Sequence, residues 1–169
     1  MDQSELFNPL KELFISQRSA SLATLTNQSL PYVSMVPFAL DAKAGRFIIH
    51  TSELAAHTRY LLQRPDAGLM ICLPEQAGKP VHDLSRVSLQ VIAHHPERES
   101  AEWQHCREVY LSRFPDVEFM TSFKDFHFFS LEITRVRQVA GFGSARTLRV
   151  EQVIDQIQQL AELQQKRPA

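Results

Sequence analysis

The sequence predicts an α+β domain, mainly β, whose strands close into a small antiparallel barrel flanked by helices. Three observations carry that expectation. Short apolar segments of strand length follow one another from Ser19 onward, joined by polar turns. Helical periodicity is confined to the chain ends, to one stretch wedged after the third strand and to one further on. The 169 residues are 44% hydrophobic and 22% charged, which suits a single globular domain with a sizeable core. That arrangement fits a barrel better than a doubly wound sheet.

Leu6, Leu10, Leu13 and Phe14 recur at helical spacing, with Asn8-Pro9 as a cap and first-turn pair, so a short helix is expected to end near Gln17. Ser19 to Thr26 reads as a strand, and Asn27-Gln28-Ser29 as its turn. Tyr32 to Leu40 is apolar at both alternating sets of positions, which predicts a strand buried on both faces. Pro37 within it implies an edge, a bulge or a strand end. Asp41 to Gly45 turns the chain into Arg46 to Thr51, completing a meander. Ser52 is expected to cap a helix that Pro65 stops. Ala67 to Leu73 reads as a buried strand and Pro74 to His82 as a loop. In the next strand Val87, Leu89, Val91 and Ala93 form the inner face. Glu97 to Arg113 is expected to be helical, followed by a strand pair at Phe126 to Ile133 and Arg137 to Phe142. A last helix carries Val153, Ile154, Ile157, Leu160 and Ala161. With no repeat or linker, the chain reads as one domain, residues 1–169. Its barrel core is about 15–148 and its C-terminal helix about 150–166.

Eighteen Lys and Arg against nineteen Asp and Glu supply no broad basic field, so no nucleic-acid partner is expected. No apolar run approaches the roughly 20 residues of a membrane span, and the acidic opening MDQSELFNPL is not expected to act as a signal peptide. Cys72 and Cys106 form neither a disulfide framework nor a zinc spacing. A cytoplasmic protein is expected. Walker, GxSxG, HExxH and GxGxxG signatures are missing, and Gly141-Phe142-Gly143 reads as a glycine-pinned turn. The seven histidines show no metal-ligand spacing, His94 and His95 being adjacent and so on opposite strand faces. No catalytic acid or base stands out.

The stretch His50 to Arg59 carries the most chemistry. A helix starting right after a strand offers free N–H groups and a positive dipole end to an anion. Thr51, Ser52 and Thr58 can donate to phosphate oxygens, and Arg59 can add charge-assisted bonds. The plainer reading makes Ser52 a cap and Arg59 a solvated side chain.

Ala20-Ser21-Leu22-Ala23-Thr24-Leu25 followed by Pro31 to Phe38 resembles the opening hairpin of the FMN-binding split-barrel family, that of pyridoxamine 5'-phosphate oxidase. Thr51 to Leu61 resembles its phosphate segment, Arg64 to Leu69 the helix exit, and Arg86 to Val91 the long strand after it. Within that superfamily the chain is most similar to the heme-utilisation branch, through Leu54-Ala55-x-His57-Thr58, Phe123-x-Asp125-Phe126 and Gly141-Phe142-Gly143-x-Ala145. The resemblance implies a six-stranded antiparallel split barrel that forms a homodimer with two flavin sites at its interface. It places Ser34 and Val36 along the flavin ring, Thr51, Ser52, His57, Thr58 and Arg59 around the phosphate, and Arg86 with Ser88 on the long strand. Two departures stand out. The oxidases carry an Arg-Lys pair where this chain has Ala56-His57. The branch's heme-degrading members ligate iron through a histidine near the C-terminus, whereas His127 is the last histidine here.

Three functions follow as expectations. The first is an FMN-dependent oxidoreductase acting on a small-molecule substrate or electron acceptor. The second is a heme-binding or heme-utilisation protein using the same dimer cleft. The third is a flavin-free binding dimer.

Overall fold

The computed structural model describes residues 3–165, with side chains for 7–160. Its elements are α1 (Gln3–Ser16), β1 (Ser19–Leu25), β2 (Pro31–Pro37), β3 (Ala39–Asp41), β4 (Arg46–Ser52) and α2 (Ala56–Gln63). They continue with β5 (Asp66–Cys72), β6 (Arg86–His94), α3 (Ala101–Arg113), β7 (Phe126–Val139), β8 (Ala145–Leu148) and α4 (Val150–Gln165). Short 3-10 turns lie at Val81–Asp83 and Pro115–Ser122.

All strands join one antiparallel sheet in the order β2-β1-β5-β6-β7-β4-β3, with β8 added to β7. The nominal ends, β2 and β3, are consecutive in the chain, so the sheet curls back on itself. Phe38 N–H still donates to the carbonyl of Arg18 at 3.1 Å, and Ala39 then pairs with Ile48. Pro37 stands where the chain leaves one partner strand for the next, a place where a missing N–H costs little. Counting β2 and β3 as one kinked strand gives the expected six barrel strands, with β8 as an addition.

Register explains the core. Leu22 pairs with Leu69, Leu69 with Leu89, Leu89 with Val136 and Val136 with Leu148, one buried row across the barrel. Phe7, Leu10, Leu13 and Phe14 of α1 and Val153, Ile157 and Leu160 of α4 complete this core. A second core lies on the outer face of β4 and β7, where Trp103, Cys106 and Tyr110 of α3 pack with Phe114 on Ile48 and Phe128.

Several expectations need correcting. The strand buried on both faces is β4; in β2, Val33 and Met35 are 66% and 63% exposed. Alternation shows that both faces are apolar, but only the packing of α3 decides which strand is covered. Pro9 lies inside α1 rather than at its start. An interior proline costs about 3 kcal/mol, which burial of four large apolar side chains at about 1.5–3 kcal/mol each exceeds. The proposed strand pair at 126–142 is the single strand β7. Val91 pairs with Ile133 and Gln90 with Arg135, so Thr134 is an extra, bulged residue. The bulge reverses the alternation and makes one strand look like two. Among the described residues, no helix is long and apolar enough to cross a membrane.

Candidate functional site

The β4–α2 junction is built by its ties to β7. Thr51 and Ser52 pair with His127 and Phe126, and Glu53 N–H donates to the Asp125 carbonyl at 2.8 Å. The Ser52 hydroxyl donates to Asp125 Oδ2 at 2.8 Å and accepts from Leu54 N–H at 3.1 Å. Ser52 is therefore not the helix cap. Ala55 occupies that position, with no side chain to satisfy the first amides of α2.

Arg59 turns back along the helix, its guanidinium donating to the Glu53 carbonyl at 2.6 Å. It braces the loop. His57 is buried, its Nδ1 2.9 Å from Ser34 Oγ, so α2 is joined to β2 across the barrel rim. Burial pushes the His57 pKa down, which favours the neutral imidazole. The hydroxyls of Thr51 and Thr58 are buried without a partner among the described residues.

Seven of the residues singled out in the sequence thus lie at or near one end of the barrel, though not all in the same way. Val36 is 1% exposed, so its side chain belongs to the core. Arg86 and Ser88 alternate with buried Val87 and Leu89 and therefore face outward. Ser34 pairs with Leu22 on the inward row. A single chain does not bring Ser34 and Ser88 to the same face of the sheet.

Sequence reasoning missed the partners at and just before the start of β7. Asp125 belongs to the Phe123-x-Asp125-Phe126 hallmark, and that was its available signal. Glu53 Oε1 lies 2.6 Å from His127 Nε2, and His127 Nδ1 lies 3.0 Å from His95 Nε2, a chain of hydrogen-bonding groups beside the junction. Behind it His50 stacks on Phe128 with centroids 4.2 Å apart. Burial, helped by the charges of Arg98 and His127, lowers its pKa to about 4.

The outer face of the sheet is the other distinctive surface. Register places Met35, Ser21, Met70, Ser88 and Arg137 in one row and Val33, Ala23, Gly68, Gln90 and Arg135 in the next. The rows run from exposed apolar side chains on β2 to arginines on β7. With an antiparallel curled sheet and this junction in place, the lineage is decided by a match of residues 8–140 to the pyridoxamine 5'-phosphate oxidase family model. The chain belongs to that family.

Its relatives match the heme-utilisation branch. The chain is 27% identical over 154 residues to HutZ of Vibrio cholerae, described as a heme oxygenase, covering 90% of this chain and 86% of HutZ. The crystal structure of HutZ, there called a heme storage protein, is similar at a TM-score of 0.69 and 25% identity, over 75% of this chain and 89% of that one. A heme binding protein from Mycobacterium smegmatis is 27% identical with a TM-score of 0.76. That match covers 87% of this chain and only 59% of the mycobacterial one.

Proposed function

We propose that this protein binds heme, as a homodimer joined through the outer sheet face, with the porphyrin in the cleft between copies. The observation that carries this reading is the amphipathic character of that face. Val33, Met35 and Met70 offer an apolar wall, and Arg135 and Arg137 stand on the same face four strands away from β2. A porphyrin is a flat apolar ring with two carboxylates, and it needs both. Arg135 and Arg137 would hold the propionates, and the apolar side chains would exclude water from the ring. When bound, heme would supply the iron chemistry; the chain's part is to bind and orient it. Likeness to heme-named relatives at 27% identity supports the same class.

FMN, the first expectation, fits the junction less well. The resemblance puts its phosphate beside Ser52, but Ser52 already bonds the Asp125 carboxylate, a like charge. His57 is held towards neutrality and Arg59 is engaged with backbone carbonyls, so little positive charge is left for a near-dianion. What favours FMN as a second reading is the pair of unpartnered buried hydroxyls, Thr51 and Thr58, at the same junction.

Parallel titrations decide between them. Hemin should produce a saturable Soret band. Replacing Arg135 and Arg137 together by alanine should weaken it tenfold or more, since charge-assisted hydrogen bonds contribute about 1.5–3 kcal/mol each. Stoichiometric FMN uptake without a Soret band would reverse the order of the two readings.

A further inference from the structure

A cavity of about 430 Å³ lies between the β3–β4 turn, the first turns of α3 and Ser130 of β7. It is at the Arg46 end of β4, on the part of the sheet that α3 covers, whereas the proposed heme site is the bare outer face that runs from β2 to Arg135 and Arg137 of β7. Its size falls within the roughly 300–1,000 Å³ range of small-molecule sites.

One wall is fixed by Asp41. Asp41 is 2% exposed; its Oδ1 accepts from the amides of Lys43 and Ala44 at 3.0 and 3.3 Å, and its Oδ2 lies 2.9 Å from His105 Nε2. The turn that carries Lys43 is therefore locked to α3. Ser130 is 4% exposed, lines the cavity, and makes no side-chain hydrogen bond among the described residues. A hydroxyl placed there can bond a ligand or water.

Four fixed charges line this space: Lys43 and Arg46 are positive, Asp41 and Glu102 negative. Asp41 is satisfied by its own turn and His105, and Arg46 is partly engaged by Glu132 at 3.4 Å. Lys43 and Glu102 make no ion pair among the described residues. One exposed, unpaired charge of each sign thus lines the same cavity, Lys43 from the β3–β4 turn and Glu102 from α3. A simple anion would meet Glu102 and Asp41, and a simple cation would meet Lys43 and Arg46. A molecule carrying both charges satisfies both walls.

We propose that this cavity binds a small zwitterion of α-amino-acid type, its carboxylate held by Lys43 and Arg46, its ammonium by Glu102, and a polar group by the Ser130 hydroxyl. This is independent of the heme reading, since none of these residues lies at the β4–α2 junction or on the bare sheet face.

Calorimetric titration of the full chain with each of the twenty L-amino acids tests it, with the N-acetyl and the carboxamide derivative of any binder as controls. At least one free amino acid should bind saturably, and blocking either end should abolish binding. Glu102→Gln and Lys43→Gln, both surface changes, should each weaken it tenfold or more while leaving the hemin titration unchanged. No saturable binding by any amino acid would overturn the proposal. So would equal binding of the blocked derivatives, or affinity unchanged in both variants.

Discussion

The two halves of the sheet are finished differently. β4 and the first part of β7, up to Ile133, bury apolar side chains on both faces, the inner one in the barrel and the outer one beneath α3, while Arg135 and Arg137 further along β7 stand on the open face. β1, β2 and β5 pack only inward, and their outer face leaves Val33, Met35 and Met70 in solvent. Both halves have similar residues at alternating positions; what separates them is whether the chain supplies its own cover. α3 ends at Arg113, whose guanidinium donates to the carbonyls of Gln17 and Phe14 and lies over the Phe38 ring, 4.8 Å from its centroid. That anchor holds the cover over one half and leaves the other open. Contiguous exposed apolar side chains on a folded protein mark an interaction surface, and a second copy is the cover proposed here.

If this contrast is right, truncating one large side chain in each half should give very different results. Phe128 is fully buried and touches His50, Trp103 and Tyr110 at ring-centroid distances of 4.2 to 6.0 Å. Phe128→Ala should cost about 3–5 kcal/mol of unfolding free energy. Met35→Ala should change monomer stability by no more than about 0.5 kcal/mol. Urea melts at low protein concentration would measure both, and comparable losses would erase the distinction.

Acid should loosen the covered half first. The His50 pKa falls from 6.5 unfolded to about 4 folded, so between those values the unfolded chain binds the extra proton. Stability from this group is complete above pH 6.5, declines as pH falls towards 4, and by then has lost about 3 kcal/mol. His57 and His95, also lowered by burial, act in the same direction. The comparison that isolates His50 is the pH profile of His50→Phe, which should be flatter by about that amount between pH 7 and pH 4. A parallel profile would mean that His50 contributes nothing to acid lability.

The turn beneath the covered half offers a smaller effect. Gly45 has φ +64°, and a Cβ there would collide with Ile154 of α4. Gly45→Ala should cost about 2 kcal/mol through left-handed strain and overpacking. Adding Ile154→Ala should recover part of the loss, because the two sites couple directly. Independent, additive losses in thermal melts would show that the contact is not the cause.

Local chemistry was readable wherever it decided the outcome by itself. The alternation of Val87, Leu89 and Val91 gave β6 its inner face, and by the same logic placed Arg86 and Ser88 outside it. Asp41 to Gly45 turned as its composition required, and Pro65 ended α2. The bulge at Thr134 was not readable, because an extra residue in a ladder is defined by the strand opposite. Nor was the Ser52–Asp125 bond, which joins groups 73 residues apart. Ser52 had two physical options, capping α2 or bonding β7, and only the fold brought the second within reach. That choice also changes the functional reading, since a serine bonded to a carboxylate is a poor phosphate donor.

The smallest effect on folding should accompany a large one on assembly. Met35→Glu puts a charge on the bare face without removing any inward contact, so monomer stability should move by no more than about 0.5 kcal/mol. Burying that charge against a second copy would be costly unless it found a partner. Sedimentation at micromolar concentration should therefore find the native chain dimeric and Met35→Glu monomeric. The same substitution should also weaken hemin, because the proposed cleft needs both copies. Glu118→Lys, on the exposed 3-10 turn away from this face, is the control and should alter neither property. If Met35→Glu stays dimeric with hemin affinity intact, the open half is not the interface, and the cleft must be sought elsewhere on the molecule.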